Sequence, residues 1–260
     1  MKLISIIITA EYKENYIKKC IESCLRQNAK NFELIICYTK LKNENLIKKK
    51  FSKTNIKFLK IKKKLKNKTQ DQFNKIFEGF KISKGEIISL LDGDDLFLKN
   101  KVSRISNQGN INIRLVTDNF FTDKKKIFVN STKKNFKNFF LYQLLINDWP
   151  KNIATSTISG GRNFFIKFFN EINISKFKYL AIDALAILYA YKKKKLIKID
   201  EYLTQKIDTE NSVDKNFNGI LNQYYWKRRL EQHNFYRSLC KKKNYLSFDY
   251  LVCRIINIFF

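Results

Sequence analysis

Three of the four consecutive residues Asp92-Gly93-Asp94-Asp95 carry a carboxylate. Like charges this close together repel one another and raise each other's pKa unless a cation is present. Oxygen ligands suit a hard divalent ion such as Mg²⁺ or Mn²⁺, which commonly keeps substrate phosphates in its coordination shell. Gly93 permits a tight turn and the close approach of a bulky ligand. The cluster therefore indicates a metal and phosphate site, with an acidic turn or a helix N-cap as the structural alternative.

The elements before this cluster predict where it lies in the fold. The apolar runs predict buried strands, and helical spacing of apolar residues predicts helices between them. The expected strands are 3–8, 32–37, 56–61 and 86–91, and the expected helices are 14–26 and 70–82. In open α/β sheets ligands bind beyond the carboxyl ends of the strands, so the acids stand where a site is expected.

The second part of the chain has a looser pattern. Strands are expected at 114–117, 126–129, 196–199 and 202–207, and helices at 135–146, 179–191, 223–239 and 246–260. We therefore expect an α/β fold with a mostly parallel central sheet flanked by helices, followed by a helical C-terminal extension.

The 260 residues include 52 Lys plus Arg and 23 Asp plus Glu, which gives a formal charge of +29. Such a charge is typical of proteins that meet nucleic acid, an anionic membrane or phosphate-rich substrates. The lysines are scattered, and Asn and Ile are also abundant, as drift in an AT-rich genome would produce. Because the bases do not cluster in a recognised binding motif, nucleic acid is not the expected partner, and a basic nucleic-acid-binding protein is the less favoured alternative.

Histidine and cysteine usage narrows the chemistry. His233 is the only histidine, which excludes His-rich zinc sites and makes a Ser-His-Asp mechanism improbable. The five cysteines are odd in number and lack C-x-x-C spacing, so a reducing compartment is expected. Residues 2–9 are too short for a signal peptide, and no apolar stretch reaches the ~18 residues of a membrane span. A cytoplasmic location is the expectation.

Residues 84–98, KGEIISLLDGDDLFL, are very similar to the family 2 glycosyltransferases of the GT-A fold, which carry a Gly-Glu/Asp pair, an apolar strand and Asp-x-Asp-Asp. Residues 5–9 and 31–35 resemble the first two strands of that family, and 16–27 resemble its first helix, which ends in Ser-x-x-x-Gln. The resemblance covers residues 1–215. It implies a GT-A catalytic domain over 1–215 and leaves 216–260 as a basic, aromatic helical extension.

The resemblance implies a nucleotide-sugar donor, a divalent metal (Mn²⁺ or Mg²⁺) and the hydroxyl of a glycan or lipid-linked acceptor. Transfer would be inverting and would serve the synthesis of a cell-surface polysaccharide or lipopolysaccharide. By position, Asp94 would bind the metal that bridges the donor diphosphate, and Asp92 would face the ribose or sugar. Asp95 would belong to the same donor site, because the roles of the family's acids could fall one place earlier or later among Asp92, Asp94 and Asp95.

Three further positions are assigned to the donor by the same resemblance. Thr9 and Glu11, at the end of the first strand, would lie beside the nucleotide base. Asn74 matches an Asn in the helix that precedes the Asp cluster, although the spacing to Gly85 is longer here.

The end of the second strand departs from the family pattern. Family members usually carry Asp-Asp there, whereas this chain has Tyr38-Thr39. Tyr38 could stack on a base, or Thr39 could hydrogen-bond to it. The same departure supports an alternative, a GT-A-shaped binding module that has lost catalysis.

Asp183 is the candidate general base that deprotonates the acceptor hydroxyl. It stands in the apolar stretch 179–186, where burial would raise its pKa, and it falls where the family carries Glu-Asp, although Ile182 replaces the Glu. The structural alternative is a helix N-cap or an Asp paired with a Lys. The hydroxyl-rich run 155–162 resembles a sugar-contacting segment in which Arg162 could meet phosphate, with a plain loop as the alternative.

The C-terminal stretches 224–229 and 255–260 combine basic and large apolar residues. Helices that lie on membrane surfaces have this composition, so a peripheral position on the inner face of a membrane is one expectation. A helix packed on the catalytic domain or on a second copy is the other, and the oligomeric state stays open.

Overall fold

The structure, a computed structural model, describes residues 2–11, 14–62, 64–123, 126–127, 150, 152–207, 217, 219, 221–240 and 247–259. The expected α/β fold is confirmed. The first half of the sheet is parallel and runs in the order β3 (Ile56–Lys60), β2 (Phe32–Tyr38), β1 (Ile4–Ala10), β4 (Ile87–Asp92). β1 and β4 consist mainly of apolar residues because both of their faces are covered, whereas β3 is a partly exposed edge.

Helices connect these parallel strands. They are α1 (Glu14–Leu25), α2 (Glu44–Lys50) and α3 (Lys68–Ile82). The start of α3 is fixed by Asn67, whose side chain accepts hydrogen bonds from the backbone N–H groups of Thr69 and Gln70. The sequence pattern did not predict α2, which lies in a lysine-rich segment.

The second half of the sheet is mixed. β8 (Ile158–Gly161) pairs antiparallel with β4 and with β6 (Leu115–Phe121), β9 (Leu196–Gln205) lies parallel to β6, and β7 (Lys126–Ile127) is antiparallel to β6. The short strand β5 (Leu96–Phe97) pairs with β9 at the far end of the strand order. Since β5 follows β4 by only a few residues, this pairing shows that the sheet curls around the turn that holds the acids.

Several sequence expectations change in this half. The two expected strands 196–199 and 202–207 form the single strand β9, whose pairing with β6 is irregular at Asp118 and Asn119. The hydroxyl-rich run is a 3₁₀ turn (Thr155–Thr157) followed by β8. The expected helix 135–146 and residues 128–129 lie outside the described residues.

Five more helices complete the described part of the chain. They are α4 (Lys101–Ser106), α5 (Arg162–Glu171), α6 (Ile182–Lys192), α7 (Gln223–Leu239) and α8 (Phe248–Phe259), with 3₁₀ turns at Ile111–Ile113 and Ile174–Lys176. The expected helical C-terminal extension is therefore present. None of the described helices is long and apolar enough to cross a membrane.

Two apolar clusters cover the two faces of the sheet. Ile7 belongs to the cluster formed with α3, α5 and α6, whereas Ile6 and Ile8 belong to the cluster formed with α1, α2 and α4. This alternation follows the two-residue period of a strand. Phe235 of α7 is buried in the first cluster, so the C-terminal extension packs against the rest of the fold.

Candidate active site

A cleft of about 480 Å³ opens at the carboxyl ends of β1 and β4. Its walls come from these strand ends, from the starts of α3 and α6, and from the turn before β8. The segment that follows β9 and the helix α7 complete them. The polar and charged side chains that line it include Thr9, Glu11, Lys64, Lys68, Asp71, Gln72, Lys75, Asp92, Asp94, Asp95, Thr155, Asp183, Lys206 and Arg228. The sequence placed six of these residues in a site, namely Thr9, Glu11, Asp92, Asp94, Asp95 and Asp183, and Thr155 belongs to the hydroxyl-rich run 155–162.

The turn after β4 is held tightly against β1. The N–H of Gly93 donates to the carbonyl of Thr9 (2.8 Å), and the N–H of Asp95 donates to the carbonyl of Asp92 (2.9 Å). A Cβ atom at position 93 would stand 2.9 Å from the same Thr9 oxygen, so a side chain does not fit without a shift of backbone. Glycine is needed here because the turn approaches the neighbouring strand closely.

Asp92 lies at the floor of the cleft. Its Oδ1 atom accepts hydrogen bonds from Thr9 Oγ1 (3.0 Å) and Gln72 Nε2 (2.7 Å). Burial raises the pKa of Asp92 to about 7, the negative charge of Asp94 adds to the rise, and the two hydrogen bonds oppose it. Asp92 is therefore oriented by two neutral hydrogen-bond donors, and the charge of nearby Lys206 also opposes the rise in its pKa.

Asp95 is turned into the protein and is tied to Ser156. Ser156 Oγ donates to Asp95 Oδ2 (2.6 Å) and accepts from the backbone N–H of Asp92 (3.0 Å), while the N–H of Ile207 donates to Asp95 Oδ1 (3.0 Å). Burial, followed by the charges of Asp92 and Asp94, raises the pKa of Asp95 well above its ordinary value. Asp95 thus joins the acidic turn to the turn before β8 and to the end of β9.

A buried ion pair supports Ser156 from behind. The ammonium of Lys101 pairs with Asp118, and it also donates to the carbonyl of Ser156 (3.3 Å) and to Thr204 Oγ1 (3.1 Å). Both charged side chains are almost completely buried. Breaking a buried pair is costly, so this network holds the Ser156 backbone in one place.

The acidic turn fits a divalent cation. The pKa values of Asp92 and Asp95 are raised in part by Asp94, and a bound cation relieves repulsion of this kind. Mg²⁺ is typically held by one or two carboxylates together with substrate phosphates, which matches an acidic turn at the floor of an open cleft. Asp92 and Asp94 are both half-buried on the cleft wall, so either carboxylate could hold the ion.

A different group of metal-binding residue types stands elsewhere in the described chain. His233, Asp249 and Cys253 have their ligand atoms within 4.8 Å of one another. The guanidinium of Arg229 bonds to both oxygens of Asp249, and His233 Nε2 lies 3.0 Å from one of them. Since Arg229 already neutralises the carboxylate, this group joins α7 to α8 and is a poor cation site.

Lysines also line the cleft, and two of them pair with acids there. The buried Lys75 ammonium lies 2.9 Å from Glu11 Oε1 and 2.8 Å from Asp71 Oδ2, and Lys64 lies 3.2 Å from Glu11. Burial acts to raise the pKa of Glu11, but the hydrogen bonds and charges of Lys75 and Lys64 outweigh it and lower the pKa. Glu11 is therefore held in its ionised form at the cleft.

Asp183 is the second residue of α6 and lines the cleft. Its side chain is half-buried, and its Oδ1 atom accepts the N–H of Ala184 (2.6 Å). The segment before α6 is fixed by Glu231 of α7, whose carboxylate accepts the N–H groups of Lys178, Tyr179 and Leu180 at 2.7 to 2.8 Å. The candidate base is thus positioned in part by the C-terminal extension.

The structure does not bring Tyr38 or Asn74 to the cleft. Tyr38 is fully buried, its hydroxyl donates to Glu44 (2.7 Å), and it is absent from the cleft wall. Its ring therefore has no face open to a base, which contradicts the stacking hypothesis. Thr39 Oγ1 is also buried, and it has no hydrogen-bond partner among the described residues. Asn74 points away from the cleft because it lies two positions, or about 200° of helix, beyond Gln72, the α3 residue that reaches Asp92.

The expectation for Arg162 also changes. Its guanidinium donates to the carbonyl of Gly85 (2.7 Å) and to Ser83 Oγ (2.9 Å), beside the amino end of β4. A phosphate in the cleft would be at the other end of that strand. Arg162 therefore joins α5 to the loop before β4.

Several residues of the site were not singled out individually from the sequence. They include Gln72, Ser156, Lys206 and Arg228, which come from four different segments, and the first two bond directly to the acidic turn. Ser156 belongs to the hydroxyl-rich run and Arg228 to the basic run of α7, so composition pointed to both segments without selecting the residue. To predict Gln72, one would have to know how α3 is rotated about its axis relative to the sheet.

An acidic turn at the carboxyl end of a parallel strand, in a curled α/β sheet, is the arrangement expected of the GT-A class of sugar-transferring folds. The sequence profile of glycosyl transferase family 2 matches residues 5–172. The chain belongs to glycosyl transferase family 2.

Solved structures agree on the fold. S. aureus TarS 1–349 in complex with UDP-GlcNAc matches with a TM-score of 0.61 and 13% identity, over 90% of this chain and 66% of that chain. The mannosyltransferase PcManGT from Pyrobaculum calidifontis, in complex with GDP-Man and Mn²⁺, matches with a TM-score of 0.55 and 7% identity, over 98% and 69% of the two chains. The present chain thus spans just under two thirds of TarS 1–349. No curated protein matches it by sequence.

Proposed function

We propose that this chain transfers a sugar from a nucleotide-sugar donor to a hydroxyl of a glycan or lipid-linked acceptor, with inversion and with the help of Mn²⁺ or Mg²⁺. One observation carries the proposal: the acidic turn Asp92–Asp95 and the carboxylate Asp183 line the same cleft, together with Lys206 and Arg228. The family membership and the ligands named for TarS and PcManGT support a nucleotide-sugar donor.

The acidic turn is the donor side of the cleft. Asp94, assisted by Asp92, would hold the divalent ion, and such an ion supplies charge stabilisation for the leaving diphosphate. Thr9 and Gln72 keep Asp92 in one orientation, and Ser156 keeps Asp95 in place. Lys206 and Arg228 also line the cleft, and they would add positive charge where phosphate is expected.

Asp183 is the acceptor side of the cleft. In the proposed single displacement its carboxylate accepts the proton of the acceptor hydroxyl as that oxygen bonds to the sugar carbon and the bond from sugar to diphosphate breaks. Asp183 lies in the first turn of α6, at the wall of the cleft. Glu231 keeps the preceding segment rigid, so the base is held in register with the acceptor.

We assign the catalytic domain to residues 1–215 and the extension to 216–260, and we place the reaction in the assembly of a cell-surface polysaccharide or lipopolysaccharide. A second candidate, a binding module that has lost catalysis, is favoured by the loss of acids at the end of β2. The intact acidic turn and Asp183 favour the enzyme.

Turnover of a panel of nucleotide sugars with and without Mn²⁺ tests the proposal. We expect metal-dependent transfer or donor hydrolysis in the wild type. Asp94→Ala should lose both turnover and metal response by about 10²-fold or more. Asp183→Asn should lose transfer by about 10²- to 10⁴-fold but keep donor binding.

Asp200→Ala is the matched control, because its carboxylate is 77% exposed and lies outside the cleft wall. It should behave as the wild type. Donor binding without turnover for every sugar would support the binding module instead. Full transfer by Asp183→Asn would remove Asp183 from the role of base.

A further inference from the structure

The outer face of α8 is apolar and exposed. Its large side chains are 40 to 81% exposed, and at about 100° per residue they fall within an arc of about 100°. These residues, the apolar face of α8, are Phe248, Leu251, Ile255, Ile258 and Phe259. The opposite side of the helix packs on α7 through Tyr250, Cys253 and Asn257. This helix therefore has a second apolar side that the described fold does not use.

The two C-terminal helices form an antiparallel hairpin. Asp249, near the start of α8, bonds to Arg229 and His233 in the middle of α7, whereas Asn257, near the end of α8, bonds to the carbonyl of Trp226 in the first turn of α7. The end of α8 thus lies beside the start of α7. Leu221 and Tyr224, which are 91% and 47% exposed, extend the exposed apolar surface at that end.

The charge of the hairpin is positive, and its acids are used internally. Asp249 is paired with Arg229, and Glu231 accepts three backbone N–H groups. The basic residues of 216–260 are Lys227, Arg228, Arg229, Arg237, Lys241, Lys242, Lys243 and Arg254. Arg254 is exposed on α8 at the border of the apolar face. The exposed apolar face of α8 is therefore bordered by a cation, in a part of the chain whose sequence has an excess of basic residues.

We propose that the α7–α8 hairpin docks this protein on an anionic lipid bilayer, with the apolar face of α8 lying in the plane of the interface. The formal charge of +29 would attract the chain to anionic headgroups, and the apolar side chains would then enter the boundary between headgroups and acyl chains. Both contributions are required, because a surface with charge alone does not account for five exposed apolar residues on one arc.

Charge complementarity favours a bilayer over a second copy of this chain. An isologous dimer through the apolar face of α8 would place two cationic hairpins side by side. Like charges that meet across an interface reduce affinity, whereas an anionic surface gains from the same cations. The second copy is therefore an outcome of the test.

The position of the hairpin has a consequence for the acceptor, which rests on the proposed function. Arg228, in the second turn of α7, lines the cleft, and its guanidinium stacks 4.8 Å from the ring centroid of Phe217, another cleft residue. The exposed end of the hairpin is therefore close to the cleft wall. A bilayer bound there would present lipid-linked acceptors to Asp183 from the plane of the membrane.

Co-sedimentation of the full chain with lipid vesicles tests the docking. The vesicles are phosphatidylcholine alone or phosphatidylcholine mixed with phosphatidylglycerol, each at low and high salt. We expect the wild type to bind the anionic vesicles, and the double variant Ile255→Ser/Ile258→Ser to bind them about tenfold more weakly or worse. Leu46→Ser, which removes an apolar side chain 58% exposed on α2, is the control and should bind as the wild type.

The outcomes separate docking from catalysis. Hydrolysis of soluble donor should be the same in wild type and double variant, so a failure of the proposed function leaves the vesicle result readable. Equal binding of both proteins to anionic vesicles would show attraction by charge alone and would overturn the proposal. A wild-type dimer that the double variant converts to a monomer, with no change in vesicle binding, would assign the face to self-association. Circular dichroism checks that both variants are folded.

Discussion

The strands β4 and β2 lie on either side of β1 and end at the same edge of the sheet, yet their ends are opposite in character. β4 ends in the acidic turn, where burial, followed by the charge of Asp94, raises the pKa of Asp92 to about 7. β2 ends in Tyr38, a buried residue whose hydroxyl donates to Glu44. The first end is a cluster of carboxylates at an open cleft, whereas the Tyr38 hydroxyl at the second end is bonded within the protein.

This difference indicates which end is functional. Groups with perturbed pKa values in a cleft are typical of sites, because a ligand or metal completes them. Groups that are fully bonded within the protein contribute to stability instead. Changes at the end of β4 should therefore alter activity more than stability, and changes at the end of β2 should do the reverse.

The largest effect at the end of β4, apart from the acids themselves, is expected for Ser156→Ala. Ser156 is completely buried and bonds to both Asp92 and Asp95. Its loss should reduce turnover by about tenfold or more, because small misplacements of catalytic groups are costly. The free energy of unfolding should fall by about 1–3 kcal/mol, because buried Asp95 loses a donor. Donor kinetics and urea unfolding measure the two effects.

Ser159→Ala is a matched control for that variant. Ser159 is also completely buried, but its hydroxyl shares a hydrogen bond (2.7 Å) with Ser89, away from the acids. It should lower stability and leave turnover unchanged. If the two variants lose turnover equally, Ser156 acts only through general stability and the contrast between the strand ends is weakened.

Tyr38→Phe should have a smaller effect, and of the opposite kind. The change removes the hydroxyl that donates to Glu44, which should lower the free energy of unfolding by about 1 kcal/mol. Because Tyr38 is absent from the cleft wall, kcat and the KM for donor should stay within about twofold of the wild type. Thermal unfolding and donor kinetics test this. A clear rise in the KM for donor would return Tyr38 to the nucleotide site.

The contrast also shows what the sequence could predict. The acidic turn was predictable because a buried strand, a turn glycine and the acids are neighbours in the chain. The burial of Tyr38 was not, because it depends on Glu44 in α2, a short helix that a lysine-rich segment concealed. The place of Gln72 rather than Asn74 depends on the rotation of α3 against the sheet, which apolar spacing fixes only approximately.

β8 was missed for a related reason. Its residues include Gly160 and Gly161, which resemble a loop in sequence. In the fold these glycines permit close packing, since a Cβ at Gly161 would lie 2.1 Å from the carbonyl oxygen of Asn112. The neighbour that requires glycine comes from a distant part of the chain, so local pattern carries no sign of it.

The smallest predicted effect concerns the pH dependence of the end of β2. Hydrogen bonds from Lys48 and then Tyr38 lower the pKa of Glu44 to about 2, compared with 4.5 for an ordinary glutamate. An acid whose pKa is lower in the folded protein stabilises the fold above its unfolded pKa and loses that contribution as the pH falls. From neutral pH down to about 4.5, the wild type should therefore have a higher melting temperature than Glu44→Gln. This gap in melting temperature should close towards about pH 2.

Thermal unfolding across this pH range measures the gap, and Glu201→Gln, which removes an exposed carboxylate paired with Arg104, corrects for the loss of one negative charge. The gap should be small and should shrink with added salt, because Glu44 and its lysines lie near solvent. A gap that stays constant on acidification would mean that Glu44 contributes packing and not charge. The end of β2 would then be stabilised by packing, and the ionised carboxylate of Glu44 would not be part of its contrast with the end of β4.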